Sequence, residues 1–235
     1  MIKTWMTPWL LMAVPFLGAA LSLLLRTSLQ RMKTSALLTT VASMLVVIGT
    51  PWALGDTLAG VPFLCLLPLT AFLSLLGQPL HRDNTSAWTT TLVLLGLGLG
   101  ILTAQAPAHD VMLLVLPGLL CILLYRYQSG ATPETWRGLS AYGLSMMSAA
   151  LALVLPTPAS TVALLVTCAT LLPLLPVHSG FIATLTGLPG NLPAFLIFLL
   201  PTVGFHTLLM LLPNLTVTTL HTVAILALAG AVYGS

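Results

Sequence analysis

Long apolar runs, each bounded by polar residues or by Pro and Gly, divide the chain into nine segments. They lie near residues 8–26, 36–54, 59–77, 87–105, 110–126, 138–156, 158–177, 192–212 and 216–234. Runs of this length match what a helix needs to cross a bilayer. Within hydrocarbon every backbone N–H and C=O must be satisfied by the chain itself, which only helices and closed barrels achieve. The pattern predicts an all-α, polytopic transmembrane helical bundle of about nine helices forming a single domain over residues 1–235.

Composition strengthens that reading. Only 5% of the 235 residues are charged and 58% are hydrophobic, and the mean hydropathy is +1.09. A water-facing surface needs about 25% charged residues, so a soluble fold is excluded. Lys3 precedes the first run, but no small-residue cleavage site follows and the run continues into Leu23, Leu24 and Leu25. An uncleaved first helix is expected rather than a removed signal peptide.

The few charges matter by their placement. Arg26, Arg31 and Lys33 follow the first run, Arg82 the third, and Arg126 and Arg137 the fifth, so six of the seven basic residues fall on one side of a nine-helix bundle. The bias of Lys and Arg toward the non-translocated side makes that face the inside and leaves the N-terminus outside. Asp56, His109 and Asp110 fall in the opposite loops, where acids carry little topological weight. A formal charge of +3 is too small for a nucleic-acid-binding stripe.

Several residues predict packing. Gly96 and Gly100 form a GxxxG pair that lets a neighbouring backbone approach. Pro15, Pro68, Pro117 and Pro201 lie inside predicted helices, and each removes one intrahelical hydrogen bond. Cys65, Cys121 and Cys168 sit in separate runs without metal-ligand spacing and read as small core residues. Asn84-Thr85-Ser86 reads as a cap for the fourth helix and is also a sequon, which the expected inside location leaves unused.

Candidate chemistry is sparse. Every Asp, Glu, Lys and Arg lies at a helix end or in a loop, whereas an ionisable group at mid-membrane is the usual mark of function. His206 lies well inside a predicted helix and His221 one turn into the last. Each reads as a proton relay or as a neutral, hydrogen-bonded bundle residue. Asp110, at the start of the fifth helix, suits a channel mouth or simply the positive end of the helix dipole. No nucleophile, base and orienting group occur together, so no catalytic residue, metal ligand or cofactor is predicted. The Ser and Thr residues are expected to bond back to their own helices.

The stretch from Leu171 to Asn214 carries a family pattern. It holds Pro173, Pro176 and His178 in a Pro-x-x-Pro-x-His arrangement, then Gly187-Leu188-Pro189, Ala194-Phe195 and Gly204-Phe205. In this it resembles the antiporter-like membrane subunits of respiratory complex I (NADH:quinone oxidoreductase), related to the Mrp-type cation/proton antiporters. Pro8-Trp9-Leu10 through Gly18 is similar to the family's first helix, and Asp110 to an acid that opens its fifth. The resemblance implies introductory helices over 1–84, a first five-helix repeat over 87–212 and the start of a following helix over 216–235. It also implies a seventh helix broken near Pro173 to Pro176, and a loop at 178–191 on the inside face.

The departures bear most on function. The resemblance implies a proton path through a glutamate and two lysines, and the corresponding positions hold Leu119, Leu171 and Pro201. The family has about fourteen helices in two inverted repeats. The second repeat is not in these 235 residues, which implies a truncated, split or incomplete subunit.

Two functions follow as expectations. The first is a degenerate complex I antiporter-like subunit acting as a structural or assembly component of a larger membrane complex and not itself pumping. The second is a half-module of a split proton-translocating subunit, with His178 and His206 as relay and Asp110 or Glu134 near the mouths. Either way the partners are other membrane subunits and lipid, in an energy-transducing membrane such as the bacterial or mitochondrial inner membrane. Any oxidoreductase or translocase activity would belong to the complex.

Overall fold

A computed structural model describes residues 2–54, 61–127, 133–172, 179–215 and seven positions between 217 and 225. Every regular element among them is helical. In chain order these are α1 (Ile2–Leu24), α2 (Leu29–Leu54), α3 (Val61–Leu76), α4 (Thr85–Thr103), α5 (Ala108–Tyr127), α6 (Pro133–Val154), α7 (Ala159–Leu171), α8 (Ser179–Gly187) and α9 (Leu192–Leu211). Single 3-10 turns at Arg82–Asn84 and Leu212–Asn214 abut α4 and α9. The all-α architecture expected from the apolar runs is therefore present.

Several boundaries differ from expectation for local reasons. The first helix begins at Ile2 and carries Pro8 inside it. The second takes in Gln30, Arg31 and Lys33, long unbranched side chains that lose little rotamer freedom in a helix. The 178–191 segment, expected as a loop, contains α8, a nine-residue helix ending at Gly187. Its sequence, SGFIATLTG, has no interior Pro to stop it. Pro15, Pro68, Pro117 and Pro201 all lie within helices as expected.

The seventh helix stops two residues before Pro173. Leu172 is extended (φ −81, ψ 146) and its N–H donates to the Cys168 carbonyl. A residue preceding proline is driven out of the helical region by the ring, and Leu172 precedes Pro173. Pro173, Pro176 and His178 themselves lie outside the described residues, as do Asp56 and most of the 216–234 segment.

Four helices among the described residues are long and apolar enough to cross a membrane: Leu29–Thr50, Thr85–Thr103, Ala108–Tyr127 and, with the following turn, Leu192–Asn214. Large apolar side chains face outward, among them Leu24 at 79% exposure and Val154 at 82%. Outward apolar side chains together with buried serine and threonine are the arrangement suited to lipid rather than water.

The chain groups into two compact units. Unit 1 comprises 1–109 and 189–199; unit 2 comprises 110–188 and 200–235. In unit 1, α4 is the central helix, with 72% of its most apolar 18-residue stretch buried against 39% of the corresponding stretch of α2. It packs on α1, α2 and α3. In unit 2, α6 packs on both α7 and α8.

Candidate functional site

In unit 1 the polar centre is Asn191. The Pro189-Gly190-Asn191 turn leads into α9, and Gly190 has φ +66, a left-handed conformation open to a residue without a Cβ. A Cβ there would also lie 3.2 Å from Ala87 Cβ and Asn84 Oδ1, so the turn is seated on the start of α4. Asn191 occupies the N-cap position, its carbonyl accepting from the Phe195 N–H at 3.2 Å. Its side chain turns inward instead of capping, and Asn191 is 1% exposed.

The hydrogen positions follow from the surrounding bonds. Ser74 Oγ donates to the Ala71 carbonyl at 2.9 Å and Thr91 Oγ1 to the Ala87 carbonyl at 2.8 Å. Each hydroxyl has one hydrogen, so both can only accept from Asn191. Asn191 Nδ2 donates to Ser74 Oγ at 3.3 Å and to Thr91 Oγ1 at 2.7 Å. Asn191 Oδ1 is buried without a hydrogen-bond partner, as is Trp88 Nε1 in the same unit. One acceptor and one donor are thus left for water or another small polar group.

Elsewhere in unit 1, Ser22 Oγ and Thr89 Oγ1 meet at 3.1 Å between α1 and α4. Lys33 Nζ donates to the Leu76 and Gln78 carbonyls at the end of α3. That contact brings the α1–α2 turn, with Arg26, and the first turn of α2, with Arg31, to the same end of the unit as the Arg82 loop. Gly96 packs as the GxxxG pattern predicts: a Cβ on it would lie 3.3 Å from Pro15 Cβ and 3.4 Å from the Met12 carbonyl.

In unit 2 the polar centre runs along α6. Tyr142 is fully buried, and the place of a Gly180 Cβ lies 3.3 Å from its ring. Nearly two turns on, Ser148 Oγ and Thr167 Oγ1 meet at 2.8 Å between α6 and α7, and Thr167 also reaches the Ser145 carbonyl at 3.3 Å. Ser145 Oγ is buried without a partner, and the buried Tyr142 hydroxyl has the Thr184 side chain as its neighbour. Positions 142, 145 and 148 share one helix face by their spacing of three.

The residues singled out in the sequence are placed as follows. Asp110 is in the first turn of α5, beside the buried His109. His206 lies half-buried in α9, and Leu119 half-buried in α5. Leu171, fully buried, closes α7. Gly204 receives that end: a Cβ on it would stand 2.9 Å from Leu172 Cγ and 3.4 Å from Leu171 Cβ. Pro201 lies three residues earlier in α9, and Pro189 opens the Asn191 turn.

Asn84 does occupy the N-cap position of α4, but it makes no side-chain cap. The preceding 3-10 turn holds it at φ −84, ψ −10, outside the extended region from which an N-cap side chain reaches back. Its Nδ2 donates to the Pro79 carbonyl instead, at 3.2 Å. Cys168 is buried, whereas Cys65 and Cys121 are only partly so.

The hydroxyls behave as expected along most helices, donating to carbonyls three or four residues back, as in Thr40, Ser43, Thr50, Thr70 and Thr207. Among the described residues no three His, Cys, Asp or Glu side chains gather to hold a metal. The Asn191 centre was not foreseen. Its one local signal is an Asn after Pro-Gly at a helix start, which ordinarily reads as a cap. Comparison with protein-family models, with curated proteins and with solved structures finds no match.

Proposed function

We propose that this chain is an integral membrane subunit that serves as scaffold for a larger assembly, of the degenerate antiporter-like kind that its 171–214 pattern resembles. The observation that carries the reading is how its polarity is used. Most buried hydroxyls, such as those of Ser22, Thr91, Ser148 and Thr167, bond to their own helices or to a facing helix, while apolar side chains point outward along α1, α2, α5, α6 and α9. Such outer faces suit lipid and neighbouring helices, and the interior is organised for packing rather than for moving charge. The apolar Leu119, Leu171 and Pro201, at positions where the resemblance implies titratable groups, support the same reading.

The test is mild detergent extraction of the native membrane, then native electrophoresis with mass spectrometry of whatever migrates with this chain. Co-migration with other membrane subunits, and loss of that assembly on deletion, is the expected result. A chain that migrates alone rejects the scaffold.

The second reading, a half-module of a proton-translocating subunit, draws on the orphaned Asn191 Oδ1, Trp88 Nε1 and Ser145 Oγ. Buried polar atoms of this kind hold internal water when space allows, and a proton path needs polar groups or water at successive depths. Proton flux into vesicles that vanishes in His206→Ala supports it, and flux unchanged by that substitution rejects it.

A further inference from the structure

An open groove of about 960 Å³ runs between α1 and α2 in unit 1. Its walls are apolar over most of their length. On α1 they are Val14, Leu17 and Leu21, and on α2 Leu38 and Ala42. Leu17 is 69% exposed and Leu38 64%. From Val14 to Leu25 along α1 the rise is about 16 Å, at 1.5 Å per residue. That is roughly half of a 30 Å hydrocarbon core, the depth of one leaflet.

The other end of the groove is polar and basic. Ser28, Gln30 and Arg31 line it, together with Thr34 and Ser35 on the next turn of α2. This is the N-terminus of α2, whose first turn holds no acid, and a helix start with unspent N–H groups favours an anion. Thr34 and Thr39 have committed their hydroxyl hydrogens to the Gln30 and Ser35 carbonyls, each at 2.8 Å. Ser35 has not: it is 8% exposed, lines the groove and leaves Oγ without a partner. Lys33 is held by the end of α3, so Arg31 is the cation that the groove presents. No acid lines it among the described residues.

We infer that this groove is a binding site for one anionic glycerophospholipid from the leaflet on the basic face. One acyl chain lies between Leu17, Leu21 and Leu38, and the phosphate is held by Arg31 and the first turn of α2. Charge complementarity selects the headgroup and the one-leaflet length selects the chain. A second helix would fill the apolar part but would leave Arg31 and the helix start without a counter-charge. The inference rests on the membrane reading above.

The full chain, extracted in mild detergent, is reconstituted into nanodiscs of phosphatidylcholine with one-tenth phosphatidylglycerol, and the lipid retained after delipidation is counted by native mass spectrometry. Retention of one phosphatidylglycerol per chain is expected. Arg31→Gln, an exposed position that should leave the fold intact, lowers that retention about fivefold, the usual weight of one basic residue at an anionic surface. Arg82→Gln, outside the groove, leaves it unchanged. Leu38→Trp, which narrows the slot, lowers retention of both lipids.

Several results overturn the site: equal retention of both lipids by the unaltered protein, retention indifferent to Arg31→Gln, or crosslinks between two copies across the groove with no lipid held. A chain released from native membranes by alkaline carbonate overturns the membrane reading itself. A chain that resists carbonate but retains no phosphatidylglycerol overturns the lipid site alone.

Discussion

Unit 1 brings its helices together around a glycine-bearing central helix and one asparagine, whereas unit 2 does so along a single helix face carrying small and hydroxylated residues. In unit 1, α4 meets α1 at Gly96, and a Cβ on Gly98 would press on Leu199 and Leu67. A single amide then ties the start of α9 to α3 and α4. In unit 2, α6 presents Gly138 to Ala183 of α8 and, further along, Ser145 and Ser148 to Thr167 of α7. Helices that share an apolar surrounding gain little from hydrophobic exclusion and must associate through close packing and hydrogen bonds. Unit 1 has, besides the Ser22–Thr89 and Lys33 contacts, one amide whose loss reaches three helices at once, while unit 2 spreads its polar contribution over contacts that overlap.

The sharpest way to break the contrast is Asn191→Asp. The carboxylate would face two hydroxyl oxygens whose hydrogens are already committed, so both donations are lost and a charge is buried. A loss above about 3 kcal/mol is expected, larger than for Asn191→Ala, which leaves no charge. Thermal unfolding in detergent that ranks Ala as the worse substitution would contradict the hydrogen-bond directions assigned here.

Next come the close approaches. Gly138→Ala places a Cβ where Ala183 stands and should cost about 3 kcal/mol by overpacking, while Gly143→Ala, whose Cβ meets nothing within 4 Å, should be near neutral. In unit 1, Gly18→Ala runs into Thr39, a β-branched residue held by its bond to the Ser35 carbonyl. About 2 kcal/mol is expected there, against little change for Gly49→Ala, whose Cβ meets nothing within 4 Å. Resistance to proteolysis in mild detergent separates each pair, and equal resistance within a pair would show that these crossings are looser than described.

The smallest effects lie on the α6 face. Ser148→Ala removes one interhelical hydroxyl contact, yet Thr167 keeps the Ala163 and Ser145 carbonyls. About 0.6 kcal/mol should be lost, the average for such contacts in membrane bundles. Ser145→Ala deletes an oxygen that already lacks a partner and should be neutral or slightly stabilising. Chemical denaturation in mixed micelles resolves the two, and a large loss from Ser145→Ala would reveal a bound water that Ser145 holds.

What the sequence determined by itself is the set of helices. Apolar runs between breaks marked α3, α4, α5 and α9 to within a few residues, and Pro173 foretold the end of α7, because helical hydrogen bonds and proline sterics act over four residues or fewer. The nine-residue α8 escapes the same pattern, because its glycines and the loop implied by the family resemblance outweigh a short apolar stretch. Only the tertiary structure decided which helices meet and which polar atoms are spent. Asn191 lies 100 residues from Thr91 and 117 from Ser74, and nothing in the residues beside it distinguishes an inward amide from a cap. Likewise Gly204 shows its role only when Leu171 and Leu172 arrive against it from another helix. The groove between α1 and α2, where Gly18 lies against Thr39, appears only once the two helices are packed, whereas in sequence its walls are two ordinary apolar stripes.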